Sequence, residues 1–119
     1  MEFQNKIMLR GIVGRAEVST FTSGQVCNFS LVTEYSTVDR ERNSAIETTW
    51  VNVNFWNNRE GGIDLYAIQK GAWVEVLGRL RMRKYTTQEN EEKTAYDIAA
   101  RKVTVIPRED EHMQPQRDW

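Results

Sequence analysis

The fold is decided by Trp50-Val51-Asn52-Val53-Asn54-Phe55-Trp56, a stretch whose side chains alternate with the period of two that is typical of a β-strand. Val51, Val53 and Phe55 form one face, which has the composition of an ordinary core face. The other face carries two tryptophans separated by amides, Asn52 among them, and that is a poor composition for a second core. Exposed indoles on a flat, hydrated face can stack planar ligands such as nucleic-acid bases. Burial of the tryptophans against a helix or a second subunit is the alternative.

A second strand-like run, residues 72–85, carries a basic and aromatic face. Alternate positions from Val74 to Met82 are apolar or glycine and are expected to face the core. The opposite face carries Arg79, Arg81, Arg83 and Tyr85. A guanidinium group is planar, donates five hydrogen bonds and stacks on rings, so this face suits phosphates and unstacked bases. A solvated outer face is the alternative for this strand taken alone. Two such strands in one short chain favour a surface that binds nucleic acid.

Length and composition limit the chain to one domain with one core. It has 119 residues, 39% hydrophobic and 28% charged, and no apolar run approaches the ~18 residues of a membrane span. Since no charged and then apolar leader is present either, we expect no membrane segment and a cytoplasmic location. The single cysteine, Cys27, is expected to pack as a small hydrophobe. Because the net charge is only −1, nucleic-acid binding would depend on a local patch and on stacking.

Alternation and turn residues predict five strands and one helix. The elements before the tryptophan strand are a strand at 5–14 ended by Gly14, a strand at 26–35, and a mobile loop at 36–48. After it come a helix at about 59–69 ended by Gly71, a strand at 72–86, a polar loop at 87–93, and a strand at 94–106 with a bulge near Arg101-Lys102. This order predicts an all-β fold, the five-stranded OB-fold barrel with one short helix between strands 3 and 4.

The chain is expected to divide into a barrel domain at 1–106 and a tail at 107–119. The tail begins at a proline, contains a second one and is acidic, so we expect it to be disordered. It holds the only histidine, His112, with no cysteine or second histidine nearby, and we expect neither a metal site nor a cofactor. The chain has no nucleophile and base set and no phosphate-cradling glycine loop, so we do not expect an enzyme.

Over residues 5–106 the sequence resembles the bacterial single-stranded DNA-binding protein (SSB) family. The matching segments are Asn5-Lys6-Ile7 with Gly11 and Gly14, Asn28-Phe29-Ser30-Leu31, Thr49 to Trp56, Lys70-Gly71, and Gly78-Arg79-Leu80-Arg81-Met82-Arg83-Lys84-Tyr85. The resemblance implies sequence-independent binding and protection of single-stranded DNA in replication, recombination and repair. It also implies association with the nucleoid and assembly as a homotetramer.

The resemblance also implies roles for individual residues. The family's base-stacking aromatic positions fall on Trp50, Trp56 and Tyr85. A further family aromatic after strand two aligns with Thr37, and Tyr35 lies two residues before it. We expect the cations to contact phosphates, with Asn52 on the same surface, so that the predicted DNA-binding set is Lys6, Arg10, Trp50, Asn52, Trp56, Arg79, Arg81, Arg83 and Tyr85.

Assembly and partner recruitment are further implications of the resemblance. First strands pair across a dimer interface in the family, and here Lys6 to Val13 is the candidate strand, with Met8 and Ile12 on its outer parity. Trp73, outward by the parity of its own strand, is a second candidate contact. In the family an acidic tail with an apolar tip docks replication and repair proteins, and the candidate docking residues here are Glu109, Asp110, Glu111, Asp118 and Trp119.

The sequence therefore predicts a binder of single-stranded DNA that catalyses no reaction. One alternative is a primosome-type accessory protein, an OB-fold relative that bridges DNA and other replication proteins. A second alternative is a protein-interaction module that uses the tryptophan face to bind a partner or to build an oligomer.

Overall fold

Five strands dominate the computed structural model, which describes residues 1–57 and 64–107. Their bounds are β1 Ile7–Phe21, β2 Gly24–Val38, β3 Ser44–Asn57, β4 Trp73–Thr86 and β5 Glu92–Val105. A single turn of 3-10 helix, Leu65–Ala67, lies between β3 and β4. The strands close into a barrel in the order β1-β2-β3-β5-β4, in which only the β3–β5 pairing is parallel. The predicted five-stranded OB-fold barrel is confirmed.

The core of the barrel is built from the alternating positions that face inward. From the tryptophan strand it receives Val53 and Phe55, with Val51 partly buried against them, as the parity predicts. The other strands and the 3-10 helix supply Val13, Cys27, Phe29, Leu31, Leu65, Ile68, Val74, Val76, Ile98 and Val103. Leu80 and Met82 continue the core parity of β4 but are 44% and 53% exposed. The β4–β5 hairpin runs beyond the barrel at this end, so nothing within residues 1–57 and 64–107 covers them.

Gly14 does not end the first strand, contrary to prediction. The strand continues to Phe21, and its register with β2 shifts between Val13 and Arg15, which leaves Gly14 as the extra residue of a β-bulge. One extra residue exchanges the two faces of a strand. Arg10 and Ile12 therefore point outward before the bulge, and the odd-numbered positions point outward after it.

The bulge predicted near Arg101-Lys102 is confirmed. Leu77 pairs with Lys102 and Gly78 with Ala100, so Arg101 is the extra residue on β5. This bulge lets Val103 on one side of it and Ile98 on the other both reach the core, although their positions differ in parity.

The prediction of a mobile loop at 36–48 is wrong, because β2 and β3 continue as a ribbon to Val38 and Ser44. The turn between them is closed by Asp39, whose Oδ1 accepts hydrogen bonds from the backbone N–H groups of Glu41 at 2.9 Å and Asn43 at 2.8 Å. Arg42 takes the left-handed conformation there, with φ of 65°. An aspartate at the start of such a turn replaces missing backbone partners.

The predicted helix at 59–69 is shorter in its described part. Among residues 64–69 only Leu65–Ala67 is helical, and Asp64 caps it by accepting a hydrogen bond from the backbone N–H of Tyr66. Residues 58–63, and with them the first half of that prediction, lie outside the described residues. The tail from residue 108 onward, including His112, lies outside them as well. In the described part of the chain, no helix has the length and apolar character needed to cross a membrane.

Candidate nucleic-acid interface

The two tryptophans of β3 are exposed on the outer face of the barrel, as their parity predicts. Trp50 is 60% exposed and Trp56 46% exposed. Between them lie Asn52 and Asn54, which pair in register with Ser30 and Asn28 on β2. The side-chain amide of Asn54 donates to the amide oxygen of Asn28, so the surface between the indoles is polar and ordered. Hydrated amides flanked by indoles form a platform suited to planar ligands.

Trp50 is held in place by the glycine of the β1 bulge. A Cβ atom added at Gly14 would lie 2.5 Å from Cζ3 of Trp50 and 2.9 Å from Oγ of Ser30. The indole therefore lies across the backbone of β1 and β2 in space that only a glycine leaves free. One part of the ring is fixed by this contact, and more than half of the residue remains exposed to a ligand.

Arg81 and Arg83 share one carboxylate on the neighbouring strand. Nε of Arg81 lies 3.1 Å from Oδ1 of Asp97, and Nε of Arg83 lies 2.9 Å from Oδ2. Among the described residues Asp97 is the only charged residue that is buried, at 5% exposure. Burial by itself would raise the pKa of Asp97, but the hydrogen bonds and positive charges of the two arginines outweigh it and lower that pKa. Asp97 is therefore ionised at neutral pH, and the cluster carries a net charge of +1.

The arginine pair and the amides between the two indoles meet in one groove on the outside of the barrel, with a volume of about 450 Å³, which the indoles themselves do not line. The parallel pairing of β3 with β5 brings the outer face of the tryptophan strand beside Asp97. The polar side chains that line the groove are Arg15 and Glu17 of β1, Asn28 and Ser30 of β2, Asn52 and Asn54 of β3, and Arg81, Arg83 and Asp97.

Two more predicted residues lie on the same face of β4. Tyr85, near the end of the strand, is 44% exposed, and the guanidinium carbon of Arg83 lies 6.0 Å from its ring centroid. That distance is at the limit of a cation–π contact. Arg79 is exposed opposite Ala99, and no ion pair is found for it within the described ranges.

Lys6 and Arg10 lie apart from this groove. Lys6 is exposed just before β1. Arg10 points outward before the bulge, where its Nη2 atom lies 2.8 Å from the carboxylate of Glu75 on β4. Neither residue lines the groove. The candidate docking residues Glu109, Asp110, Glu111, Asp118 and Trp119 lie outside the described residues.

Tyr35 lies on the opposite face of the β2–β3 ribbon from Trp50. It is 68% exposed and pairs with Glu47, whereas Trp50 pairs with Val32. Thr37, which aligns with the family's aromatic position, is two residues further along β2 and so shares the face of Tyr35. Tyr35 thus presents an aromatic ring on the same face of the ribbon as that position.

The predicted set omitted six of the nine polar residues that line this groove, Arg15 and Asp97 among them. Arg15 and Phe21 face outward only because of the bulge at Gly14, and alternation read through a continuous strand gives no sign of it. The alternation of β5 places Asp97 on the outer face, but its pairing with two arginines depends on the register between β4 and β5, which alternation does not reveal. The residue type does indicate an ion pair, because an acidic side chain on a basic face is stabilised by a cationic neighbour.

The cysteine does not reach this surface. Cys27 is fully buried in the core, and burial raises the pKa of its thiol to about 11. Among residues 1–57 and 64–107, no group of three or more metal-binding side chains is found.

The closed barrel defines an OB-fold protein whose outer face carries a polar and basic groove and, on the same strand as its asparagines, two exposed tryptophans. Comparison with known proteins places it more narrowly. The chain belongs to the single-strand binding protein family, whose sequence model matches residues 4–106.

Curated relatives agree with that assignment. The chain is 35% identical over 104 residues to a single-stranded DNA-binding protein of Neisseria meningitidis, a match that covers 86% of this chain and 59% of that protein. A protein of the same name from Xanthomonas campestris is 34% identical, with 86% and 60% covered. The chain thus spans about three fifths of the length of these curated relatives.

Two solved structures share the fold. A Plasmodium falciparum SSB complex with ssDNA has a TM-score of 0.75 at 24% identity and covers 90% of this chain and 98% of that one. The Thermus aquaticus single-stranded DNA binding protein, as a deletion mutant, has a TM-score of 0.71 at 19% identity, with 87% and 51% covered.

Proposed function

We propose that this chain binds single-stranded DNA without preference for base sequence and protects it during replication, recombination and repair. The observation that carries the proposal is the joint exposure of Trp50 and Trp56 on the face where the Arg81–Asp97–Arg83 cluster lies. The curated relatives are named as single-stranded DNA-binding proteins, and one solved structure of similar fold is described as a complex with ssDNA. Binding would involve no chemical reaction.

Stacking supplies most of the affinity. A base stacked on an aromatic side chain contributes about 1–3 kcal/mol, and it does so for all four bases because each has a π face. Trp50, Trp56 and Tyr85 are the rings we assign to this role. Asn52 lies between the tryptophans and offers its amide to base edges or to the sugar and phosphate backbone. Tyr35 is a candidate for a further stacking ring on the other face of the β2–β3 ribbon.

Phosphate contacts come from cations whose charge is not fully balanced within the chain. The Arg81–Asp97–Arg83 cluster has one positive charge in excess, and Arg15 and Arg79 are exposed on the same outer surface. Arg10 lies outside the groove, so its contribution to phosphate binding is expected to be small whether or not Glu75 balances its charge. A local excess of this kind allows DNA binding by a chain whose net charge is −1.

Assembly as a homotetramer is part of the proposal. Ile7 to Leu9 pair with β4 on one edge and, within the described residues, with no strand on the other, so a second copy can pair there. Met8, 62% exposed, would lie in such an interface. Leu80 and Met82 with Tyr96 form a further exposed apolar face on the β4–β5 hairpin, and another copy would cover it. Several barrels acting together raise the effective concentration of binding sites on a long strand.

Location and protein partners follow from the same role. A DNA-coating protein would work in the cytoplasm in association with the nucleoid. We propose that the acidic tail recruits replication and repair proteins through Glu109, Asp110, Glu111, Asp118 and Trp119. A pull-down of such proteins by the full chain but not by a chain ending at residue 107 is the result expected.

The experiment that tests DNA binding is a titration of intrinsic tryptophan fluorescence with poly-dT. Wild-type fluorescence should be strongly quenched, and an unrelated peptide should cause no change. Trp50→Ala and Trp56→Ala should each weaken binding by about 1–3 kcal/mol without loss of fold, because neither side chain is in the core. Unfolding of either variant with residual binding intact would make these tryptophans core residues and refute the assignment.

Assembly is tested by light scattering at micromolar concentration. We expect a mass near four times 13.9 kDa. A dimer would favour the primosome-type alternative, and a monomer that still binds poly-dT tightly would refute the argument from assembly. Met8→Glu places a charge in the proposed strand interface and should lower the mass, whereas Glu2→Lys, before β1, should not.

A further inference from the structure

Phe21 is an exposed ring that has no role in the function proposed above. It is the last residue of β1 and pairs across a two-residue turn with Gly24 on β2. It is 54% exposed and lies outside the core cluster. A single exposed apolar residue is ordinary on a protein surface. What distinguishes Phe21 is the ring beside it.

The ring of Phe21 lies against Trp56, with the two centroids 5.7 Å apart. The register explains the contact, because Trp56 pairs with Val26 on β2 and Val26 pairs with Ser19 on β1. Phe21 is two residues beyond Ser19 and so points to the same outer face. The aromatic surface therefore extends from β3 across β2 to the end of β1.

Neither of the two rings covers the other. Their planes are inclined by 35°, and both residues remain about half exposed. Rings at this separation attract each other, so the contact restricts the orientation of Trp56 while apolar ring surface stays open to solvent. Arg15 is on the same face of β1, so a phosphate and a base could be bound along one strand.

We propose that Phe21 and Trp56 together form a stacking subsite for a base of single-stranded DNA at the end of the groove nearest the β1–β2 turn. This inference rests on the proposed function and adds to it a further ring and a path for the DNA strand, from β3 over β2 towards β1. The subsite tolerates any base, because stacking uses the π face rather than hydrogen-bonding groups.

The test measures binding of the full chain to fluorescein-labelled oligo-dT by anisotropy. Phe21→Ala should weaken binding by about 5- to 150-fold, the range expected for the loss of one stacking ring. Phe21→Tyr keeps the ring and should bind like the wild type. Phe21→Leu keeps apolar bulk without a π face and should resemble Phe21→Ala. The matched control is Phe3→Ala, which removes an exposed phenyl ring before β1 and should leave the affinity unchanged.

A second comparison separates stacking by Phe21 from mere support of Trp56. In a Trp56→Ala background, Phe21→Ala should weaken binding by a further factor of about three or more. No further loss there, or wild-type affinity in Phe21→Leu, would overturn the subsite. If wild-type protein fails to bind oligo-dT, the proposed function itself is refuted. If wild type and Phe21→Ala bind equally tightly, the proposed function stands and only the subsite is lost.

Discussion

Replacing Asp97 with asparagine tests the centre of the groove, because the change removes one charge and almost no volume. In the wild type the Asp97 carboxylate accepts hydrogen bonds from Nε of Arg81 and Nε of Arg83, and its side chain is only 8% exposed. The guanidinium groups belong to side chains that are 36% and 52% exposed, so water can solvate them when the carboxylate is gone. Asp97→Asn therefore leaves two solvated cations rather than two buried ones.

The exposure of the two guanidinium groups limits the loss of stability expected for Asp97→Asn. Removing one partner of a fully buried ion pair costs about 3–5 kcal/mol, and an exposed pair contributes about 0–1 kcal/mol. With the carboxylate buried and both arginines partly exposed, we expect Asp97→Asn to lower the free energy of unfolding by about 1–2 kcal/mol at pH 7. Urea unfolding at equal protein concentration measures this difference.

The contribution of Asp97 to stability depends on pH in a predictable direction. The pKa of Asp97 in the folded chain is below its ordinary value of 3.8. Its contribution to stability is therefore fully present above that ordinary value and is lost as the pH falls through the lower pKa of the folded state. The stability difference between wild type and Asp97→Asn should be constant near neutral pH and should shrink below about pH 4. A difference that persists unchanged at pH 2 would refute the role of the carboxylate charge.

Binding should change in the opposite direction. Asp97→Asn raises the net charge of the cluster by one, so the slope of log K against log salt should steepen by up to about 0.7 and affinity at low salt should rise. Glu75→Gln is the matched control, since it neutralises a carboxylate of β4 that is ion-paired with Arg10 of β1, outside the groove. It should leave the slope unchanged and alter stability by less than about 1 kcal/mol. An equal effect of both variants would mean that phosphates do not pass the Arg81–Arg83 pair.

Three further predictions concern single residues. Gly14→Ala should displace the indole of Trp50 and weaken DNA binding by up to the ~1–3 kcal/mol of a stacked base, and it should have no effect on affinity in a Trp50→Ala background. Arg15→Ala should lower the salt slope of binding by about 0.7, whereas Arg10→Ala, whose charge is balanced by Glu75, should not change it; the reverse pattern would place the phosphate path on the other side of the bulge. Because burial raises the pKa of the Cys27 thiol to about 11, dithiobis(nitrobenzoate) should label it only after unfolding, and rapid labelling of native protein would show that the barrel opens.

The strands of the barrel could be predicted where one face is buried. The alternation from Trp50 to Trp56 was enough to predict the two faces of that strand. Its inward positions Val53 and Phe55 are core residues, and its outward indoles are exposed. The ribbon at 36–48 was missed for the converse reason. Both of its faces are exposed, so no apolar period marks it as a strand, and its pairing is fixed by the Asp39 turn instead. The ion pairs of Asp97 depend on register between two strands, which local alternation does not contain.

The bulge at Gly14 explains most of what the sequence could not show about the groove. Without the extra residue, the outer positions of β1 beyond Ile12 would include Ala16 and Val18, and the charged Arg15 and aromatic Phe21 would face inward. With it, Ala16 and Val18 pack against the core, Arg15 lines the groove, and Phe21 lies on the outer face beside Trp56. The same glycine leaves the space in which Trp50 lies. Gly14 thus determines which side chains of β1 face outward, and it leaves the space that the Trp50 indole occupies. A side chain at position 14 is therefore expected to disturb binding more than it disturbs the barrel.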